Sequence, residues 1–299
     1  MTLEVRQRSV AIDGVPLVND FSLIIEPGQV HGVVGESGSG KSLSALSVMD
    51  LLPPGATIDG TVFLDGTRVT HRQGMAMVLQ EPLGALNPVL TIESQLVETM
   101  RVHGAKGELR EAALRLLEDV GLPEPEQRLR QYPHQLSGGQ RQRVAIACAL
   151  AARPRVLIAD EPTTALDASL KLVILSLLRT LARERQLAVW LITHDLRSAR
   201  EACDAISVMY AGRVVETGPA STLLSTPRHP YTRALLASTP ESTPPGTRLP
   251  TIGGQLPKPG ERVEGCRFHP RCPARFERCV RERPVLHRGV ACHLVEGAP

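Results

Sequence analysis

The segment Leu136–Gln140, with the sequence LSGGQ, constrains the fold of this 299-residue chain more than any other feature. It lies between the two halves of a nucleotide-binding pattern. The first half, Gly35–Ser42, reads G-x-x-x-x-G-K-S and follows the apolar segment Val30–Val34. The second half, Val156–Glu161, is an apolar run that ends in an Asp-Glu pair. An apolar run that is polar only at its carboxyl end is typical of a buried parallel strand. We therefore predict an α/β fold in which the nucleotide binds at the carboxyl ends of such strands.

The Gly35–Ser42 loop is predicted to hold a triphosphate. Its glycines allow backbone N–H groups to turn inward around phosphate oxygens, and the N-terminus of the following helix, predicted over Ser42–Leu52, adds partial positive charge. Lys41 is expected to reach the β- and γ-phosphates, while the Ser42 hydroxyl binds Mg²⁺. The candidate phosphate-binding residues are Gly35, Glu36, Ser37, Gly38, Ser39, Gly40, Lys41 and Ser42.

The acidic end of the second strand is predicted to supply a metal ligand and a base. Asp160 would hold Mg²⁺ directly or through water. Glu161 follows at the mouth of the strand, where a carboxylate can polarise the water that attacks the γ-phosphate.

The LSGGQ segment opens a further helix, predicted over Gln140–Ala152. Its two glycines expose backbone amides at the helix N-terminus, where Ser137 also offers a hydroxyl. We therefore predict a second anion-binding end in the same chain. Its residues are Ser137, Gly138, Gly139 and Gln140.

The order of these motifs resembles that of ABC transporter ATPase subunits. The resemblance implies a P-loop ATPase core over residues 1–225, a helical subdomain at about 82–140 and a small cysteine-containing extension over 226–299. It also implies that the LSGGQ helix meets the ATP of an opposing ABC ATPase subunit, either a paralogue or a second copy, in a head-to-tail dimer. The helical subdomain would face a membrane permease; a simple solvent-exposed insertion is the competing interpretation.

The same resemblance assigns roles to residues after three further segments. Gln80, after a short apolar strand, would contact the metal and the nucleophilic water. Asp167, in the Thr164–Asp167 loop, would communicate across the dimer. His194, after the predicted strand Ala188–Thr193, would hydrogen-bond the γ-phosphate and sense its loss. The implied catalytic residues are Glu161, His194, Gln80 and Lys41, and the implied Mg²⁺ ligands are Ser42, Gln80 and Asp160.

One part that the resemblance implies is missing. ABC ATPases usually stack the adenine on an aromatic residue that precedes the phosphate loop. Arg8–Ile12 contains no aromatic residue, and Phe21 is too close to the loop. The sequence therefore leaves open which groups hold the base, and it predicts no preference for ATP over GTP.

The C-terminal segment 226–299 differs in charge from the rest of the chain. It holds 12 basic and 6 acidic residues, a net charge of +6, whereas residues 1–225 hold 22 basic and 25 acidic residues, a net charge of −3. A basic tail suits an anionic partner, and an Arg-rich solvated surface explains it equally well. His229–Leu236, which begins HPY, and four closely spaced cysteines resemble the extension of ATPases in the oligopeptide, dipeptide and nickel uptake subfamily.

Four cysteines within 27 residues are predicted to hold a metal centre with a structural role, far from the ATP chemistry. Zinc sites usually contain C-x₂₋₄-C pairs, which the spacing C-x₅-C-x₆-C-x₁₂-C lacks, whereas iron–sulfur clusters accept varied spacing. The resemblance favours a [4Fe–4S] cluster; Zn²⁺ and reduced or disulfide-bonded cysteines are the alternatives. Neighbouring arginines are expected to lower the thiol pKa values. The cysteines are Cys266, Cys272, Cys279 and Cys292, and the arginines are Arg267, Arg271, Arg275 and Arg278.

The chain contains no uninterrupted apolar run of about 18 residues and begins without a basic and apolar leader, so we expect it to be cytoplasmic. The resemblance implies that it is peripheral at the cytoplasmic face of the membrane. The resemblance implies an ATPase that energises an importer for di- or oligopeptides or related solutes. Two permease subunits and an extracytoplasmic solute-binding protein would be its further partners. Nickel or a metal chelate is the alternative cargo. Action on nucleic acid or ribosomes is a more distant alternative, since neither a long coiled-coil insertion nor a second cassette is present, and no nucleic acid is expected as a partner.

Overall fold

The computed structural model describes residues 1–70, 73–80, 82–164, 166–239, 250–261 and 263–295; Ala165, part of the predicted Thr164–Asp167 loop, lies outside them. The strands are β1 (Leu3–Ile12), β2 (Val15–Ile25), β3 (Val30–Val34), β4 (Ala56–Leu64), β5 (Thr67–Val69), β6 (Met75–Val78), β7 (Val156–Asp160), β8 (Ala188–Thr193), β9 (Ala205–Tyr210) and β10 (Arg213–Pro219). The helices are α1 (Lys41–Val48), α2 (Pro82–Ala85), α3 (Ile92–Val102), α4 (Leu109–Asp119), α5 (Pro125–Leu129), α6 (Gly138–Ala151), α7 (Ala168–Arg185), α8 (Leu196–Ala202), α9 (Ala220–Ser225), α10 (Pro230–Ala237) and α11 (Glu277–Arg281).

A largely parallel sheet forms the centre of the fold. Its strands lie in the order β10-β9-β3-β8-β7-β6, and β10 runs antiparallel at one edge. Strands β3, β7 and β8 are buried along their whole length, which explains their largely apolar sequences. The carboxyl ends of parallel neighbours meet at one edge. The phosphate loop, Asp160 and His194 are brought together there, because each lies at or just after the end of one of these strands.

A second, antiparallel sheet with the order β2-β1-β4-β5 packs beside the first. The interface between them is apolar. Phe21 of β2 stacks on Trp190 of β8 with ring centroids 5.4 Å apart and an interplanar angle of 9°, and both rings are fully buried. Phe21 is therefore a core residue rather than a base-stacking one.

The insertion between β6 and β7 is helical, as predicted. The three-to-four spacing of apolar residues in the sequence predicts helices over Thr91–Val102 and Glu108–Val120, closed by Gly104 and Gly121. Helices α3 and α4 agree with these segments within one residue. Thr91 caps α3, because its side chain accepts a hydrogen bond from the Ser94 N–H. Gly104 and Gly121 follow the two helices with φ of 80° and 65°, which confirms the predicted glycine caps.

Helix α1 is shorter than predicted: it ends at Val48 instead of Leu52. The Met49 and Leu51 amides donate to the carbonyls of Ala45 and Leu46, and Asp50 between them adopts a positive φ of 54°. This left-handed turn ends the helix before Pro53 and Pro54, where the sequence predicts its end.

The C-terminal segment packs directly on the central sheet. Ala291 donates to the Val215 carbonyl at 2.8 Å, and Val290 forms an antiparallel bridge with Glu216 of β10. The Phe268 ring meets Tyr210 of β9 edge-on at 5.2 Å. The segment thus shares apolar core with the rest of the chain. Within the described ranges, no helix combines the length and the hydrophobicity that crossing a membrane requires.

Candidate functional site

The phosphate loop connects β3 to α1 and has the backbone that its glycines predict. Gly35 and Gly40 have φ of 155° and 102°, and a Cβ on Gly35 would lie 2.2 Å from the Met209 carbonyl oxygen. Lys41 begins α1 and is almost fully buried. Its ammonium donates to the carbonyls of Gly35 and Glu36 at 2.9 and 3.0 Å, at the mouth of the loop.

Burial lowers the pKa of Lys41, and the nearby carboxylates of Glu161, Asp160 and Glu36 oppose that shift. The cation therefore lies among anions at the end of the loop. This is the charge arrangement in which an ammonium and a metal ion together hold a triphosphate.

Ser42 and Asp160 face each other across the site. The Ser42 hydroxyl donates to an Asp160 carboxylate oxygen at 2.9 Å, and Asp160 is buried. Burial raises the pKa of Asp160, while the hydrogen bond from Ser42 opposes the rise. Hydroxyl and carboxylate oxygens are the ligands that Mg²⁺ prefers, so this pair suits that ion.

Glu161 is the centre of a hydrogen-bonded group. One carboxylate oxygen accepts from Gln80 Nε2 at 3.3 Å and from the Thr164 hydroxyl at 2.8 Å, and the other lies 3.2 Å from His194 Nδ1. Partial burial acts to raise the pKa of Glu161, but the hydrogen bonds from Thr164 and His194 and the charge of Lys41 lower it overall. Three residues predicted separately, Gln80, Glu161 and His194, thus lie in contact. Thr164 was missed as their fourth member.

The backbone of Glu161 is itself unusual. Its φ is 46°, in the left-handed region that residues with a Cβ rarely adopt. The Glu161 amide donates to the Ile192 carbonyl of β8 at 2.9 Å, which holds this conformation at the end of the sheet. Such strain of about 1–3 kcal/mol clusters at functional sites and turns the carboxylate toward the cleft.

These residues line one cleft of about 1090 Å³. Its walls include the phosphate loop, Gln80, Glu161 and His194, together with Pro16 and Leu17 after the β1–β2 turn. No Phe, Tyr or Trp of the described residues lines the cleft, in keeping with the missing aromatic residue. The remaining wall comes from the C-terminal segment, chiefly Leu256–Glu261. The extension, whose cysteine centre is predicted to lie far from the ATP chemistry, therefore reaches the cleft through Leu256–Glu261, while its four cysteines line a separate pocket.

An ion pair fastens the extension to the phosphate loop. Arg271 Nη1 lies 3.1 and 3.2 Å from the two carboxylate oxygens of Glu36, and the Arg271 side chain is only 4% exposed. The Glu36 amide also donates to the Tyr231 hydroxyl at 3.0 Å. Arg267 donates to the carbonyl of Ala211 beside the same loop. No local sequence pattern marks these contacts, because Glu36 and Arg271 are 235 positions apart.

The LSGGQ segment starts α6 and lies outside the cleft. Ser137 caps the helix through a capping box: its hydroxyl accepts from the Gln140 amide at 3.3 Å, and Gln140 Oε1 accepts from the Ser137 amide at 3.0 Å. The helix begins at Gly138, two residues before the predicted start, because Ser137 is the cap. Gly139 is buried, and a Cβ there would lie 3.1 Å from Leu170 Cδ1, so its small size serves packing.

Asp167 also caps a helix instead of lining the cleft. Its carboxylate accepts from the Leu170 amide at 2.9 Å and from the Ser169 hydroxyl at 2.7 Å, at the start of α7. Ser137, Gly138 and Asp167 are exposed on the surface of the chain. One chain therefore carries the phosphate loop and the LSGGQ end as separate features.

The four C-terminal cysteines line one small pocket, together with His229, His269 and His293. All are free thiols, and Cys279 and Cys292 are buried. No group of three His, Cys, Asp or Glu in the described parts of the chain converges closely enough to hold a single metal ion.

The predicted effect of the arginines on these thiols is wrong. Burial raises the pKa of Cys266 to about 11, and burial also raises the pKa values of Cys272 and Cys292. Arg267 and Arg271 direct their guanidinium groups to Ala211 and Glu36 instead of to the pocket. Arg278 pairs with Glu282, whereas the charge of Arg275 opposes the shift at Cys272 and that of Arg233 opposes the shift at Cys292.

Family comparisons agree with this geometry. Residues 18–164 match the ABC transporter family, and residues 215–279 match the C-terminal region of oligopeptide/dipeptide transporters. The dipeptide transport ATP-binding protein DppD of Escherichia coli K12 is 44% identical over 294 residues, which cover 92% of this chain and 90% of DppD. The chain belongs to the ABC transporter ATP-binding family.

Other relatives agree with this membership. The oligopeptide transport ATP-binding protein AppD of Bacillus subtilis is 41% identical over 301 residues, covering 94% of this chain and 92% of AppD. A solved ATP-binding cassette dimer in a post-hydrolysis state with ADP and Pi matches with a TM-score of 0.63 and 30% identity, over 73% of this chain and 98% of that one. This ABC-family protein is thus an ATPase that uses ATP and Mg²⁺.

Proposed function

We propose that this chain is the ATP-hydrolysing subunit of an importer for dipeptides, oligopeptides or related small solutes. One observation carries the proposal: a C-terminal region of the oligopeptide/dipeptide transporter type is packed onto an ATP-binding cassette in one chain. The relatives named above are transport proteins for dipeptides and oligopeptides. Their names refer neither to nickel nor to nucleic acid or ribosomes, so those alternatives have less support.

Glu161 is the proposed general base. Its lowered pKa keeps the carboxylate ionised at neutral pH, so that it can accept a proton from the attacking water. Gln80 and His194 contact different oxygens of that carboxylate and would fix its orientation. Lys41 would stabilise the charge that develops on the transferred phosphoryl group. Water would then attack the γ-phosphate in line with the departing ADP.

Ser42, Asp160 and Gln80 are the proposed Mg²⁺ ligands; Ser42 contacts Asp160, and Gln80 lines the same cleft. The Ser42 and Asp160 oxygens already lie within hydrogen-bond distance of each other. Burial raises the pKa of Asp160, and a nearby cation would stabilise its ionised form. The ion, when bound, neutralises charge on the β- and γ-phosphates.

We propose that the complete site forms between two cassettes arranged head to tail. Ser137, Gly138, Gly139 and Gln140 lie at a helix N-terminus on the surface, whereas Lys41 lies in the cleft. A second ABC ATPase subunit, a paralogue or a second copy of this chain, would present its LSGGQ helix to the ATP held here. Asp167, exposed at the start of α7, would lie at the same interface.

The chain would be peripheral at the cytoplasmic face of the membrane, bound to two permease subunits that receive solute from an extracytoplasmic binding protein. We assign residues 1–225 to the nucleotide-binding domain and 226–299 to the extension. The helical part, about 82–140, is the proposed permease contact. Val89, which is 75% exposed before α3, supports this assignment because it offers apolar surface to a partner.

Transport measurements test the proposed cargo. The assembled importer, with permeases and binding protein identified by copurification, would be reconstituted into vesicles that contain MgATP. We expect ATP-dependent uptake of a labelled dipeptide, lost in Lys41→Ala and retained in Arg68→Ala, which removes an exposed positive charge on β5, outside the cleft and the proposed permease contact. Uptake of ⁶³Ni²⁺ without uptake of any di- or oligopeptide would contradict the peptide assignment.

We further propose that Cys266, Cys272, Cys279 and Cys292 hold a [4Fe–4S] cluster. The pocket that they line together, without disulfides, supports this assignment. In such a cluster each iron takes one thiolate, whereas a zinc ion needs all its ligands to converge on one point. The cysteine spacing, which lacks the C-x₂₋₄-C pairs usual at zinc sites, favours the cluster over Zn²⁺.

Anaerobic purification tests the cluster. We expect brown protein with broad absorbance near roughly 400 nm and matching contents of iron and sulfide. Cys272→Ser should bleach it, whereas the matched change Cys148→Ser, outside the pocket, should not. Stoichiometric zinc without iron or sulfide would contradict the cluster.

A further inference from the structure

The Leu256–Glu261 segment, called the strap from here on, spans the nucleotide cleft. At one end, Leu256 Cδ2 lies 3.6 Å from the Cβ position of Gly38 in the phosphate loop. At the other end, the Cβ position of Gly260 lies 3.2 Å from Val15 Cγ1, beside the β1–β2 turn. The strap therefore runs from the phosphate end of the cleft to the region where the family's base-stacking aromatic residue is missing.

The strap has a defined shape. The Glu261 amide donates to the Lys258 carbonyl at 2.9 Å, and the Glu261 carboxylate accepts from the Lys258 amide at 2.8 Å. Pro259 and Gly260, with φ of 80° at Gly260, occupy the two central positions of this turn, as a type II turn requires. A turn closed by two hydrogen bonds presents its proline ring to a ligand at low entropic cost.

Buried contacts hold the chain just before the strap. Arg271, paired with Glu36, also donates to the carbonyls of Gly253 and Ile252 at 2.8 and 3.3 Å. One guanidinium group thus ties the phosphate loop to the residues that lead into the strap. The strap is positioned relative to the phosphates by the protein's own ion pair.

The volume of the cleft indicates whether the strap lines the nucleotide site or blocks it. Ligand pockets usually measure about 300–1,000 Å³, and the cleft measures about 1090 Å³ with the strap in place. A nucleotide therefore fits beside the strap. Apolar residues of both parts line the cleft: Pro16 and Leu17 on the cassette, and Pro257 and Pro259 on the strap. Lys258 and Glu261 of the strap line it as well.

We propose that the strap forms the base-and-ribose side of the nucleotide site, so that the purine packs between Pro16 and Leu17 on one side and Pro257 and Pro259 on the other. The extension thereby supplies the contact that an aromatic residue of the cassette would otherwise make. This inference rests on the proposed function of the phosphate loop, because the phosphates must lie at Lys41 for the base to reach the strap.

Two ligands distinguish the base side from the phosphate side. Dissociation constants of MgATP and of Mg-tripolyphosphate, which lacks base and ribose, would be measured by calorimetry on the full-length chain. We expect Pro257→Ala and Pro259→Ala to weaken MgATP binding by roughly three- to tenfold through lost apolar contact, and to leave tripolyphosphate binding within twofold. The matched control Pro123→Ala, which changes an exposed proline of the α4–α5 loop, should change neither.

The other outcomes overturn the proposal in distinguishable ways. Unchanged binding of both ligands would remove the strap from the site. Equal weakening of both would show that it acts only through the phosphate loop, and tighter binding of both would show that it obstructs the cleft. Lys41→Ala should weaken both ligands; if it weakens neither, the phosphate assignment itself fails, whatever the strap variants do.

Discussion

Replacing Arg271 by alanine should release the extension from the phosphate loop. The change removes a side chain that is 4% exposed, breaks its pair with Glu36 and leaves the carbonyls of Ile252 and Gly253 without their donor. Breaking a buried ion pair from one side costs about 3–5 kcal/mol. Glu36 keeps 28% exposure, so water replaces part of the lost interaction, and we expect a cost of about 2–3 kcal/mol.

Amide hydrogen exchange measures this loss of local stability in the part of the extension around Arg271. A loss of about 2–3 kcal/mol raises the local opening constant roughly 30- to 140-fold. Amides of the segment 266–272 report it, since Arg271 and Cys272 donate to the carbonyls of Phe268 and His269. Arg271→Lys keeps the positive charge but loses the planar guanidinium group with its several donors. The exchange rates of these amides in that variant should therefore lie between those of Arg271→Ala and the wild type.

The matched control is Arg281→Ala. Arg281 also pairs with a glutamate, Glu277, but both side chains are about three-quarters exposed. An exposed pair contributes little, so exchange should stay within about twofold of the wild type. If Arg271→Ala exchanges at the same rate as Arg281→Ala, the reasoning that ties the extension to the phosphate loop is refuted.

Three further predictions concern pH, the dimer and the phosphate loop. Burial lowers the pKa of His31 from 6.5 to about 4, so between those pH values the unfolded chain binds a proton that the folded chain does not. The free energy of unfolding should therefore fall by up to about 3 kcal/mol as the pH drops through this window. His31→Gln should flatten this dependence of stability on pH, which thermal unfolding at a series of pH values would measure. In a dimer that mixes a Ser137→Ala subunit with a Lys41→Ala subunit, both lesions can fall on one composite site, so measurable ATPase activity should remain; activity as low as in a dimer of Lys41→Ala subunits would contradict the head-to-tail arrangement. Lys41→Ala alone should weaken MgATP binding at least tenfold by calorimetry, whereas Lys171→Ala, which changes a lysine outside the cleft, should bind as the wild type does.

The sheet could be predicted from the sequence because its signals are local. Strands β7 and β8 are apolar up to a polar last residue, Asp160 or Thr193, since they are buried on both faces, and β3 is buried likewise although it contains His31. The ends of helices α3 and α4 are also marked locally, by Thr91 at the start of α3 and by Gly121 after α4. Glu161 and His194 were named separately, and their contact follows from the parallel order of β7 and β8.

The place of the extension could not be predicted, because its contacts depend on the folded chain. Arg271 and Glu36 look like ordinary surface charges in the sequence, and they meet in a fold in which Phe268 packs on Tyr210. The thiol pKa prediction failed for the same reason. It assumed that arginines close in sequence to the cysteines face them, whereas Arg267 faces the Ala211 carbonyl and burial dominates at Cys266.

The most direct test of the central claim is phosphate release from γ-labelled ATP by the assembled transporter that carries Glu161→Gln. This change keeps the shape of the side chain and removes the base. We predict that the variant binds MgATP at least as tightly as the wild type does, while phosphate release falls by roughly a hundredfold or more, the scale of general-base catalysis. Phosphate release at the wild-type rate would contradict the claim that Glu161 activates the water in this cleft.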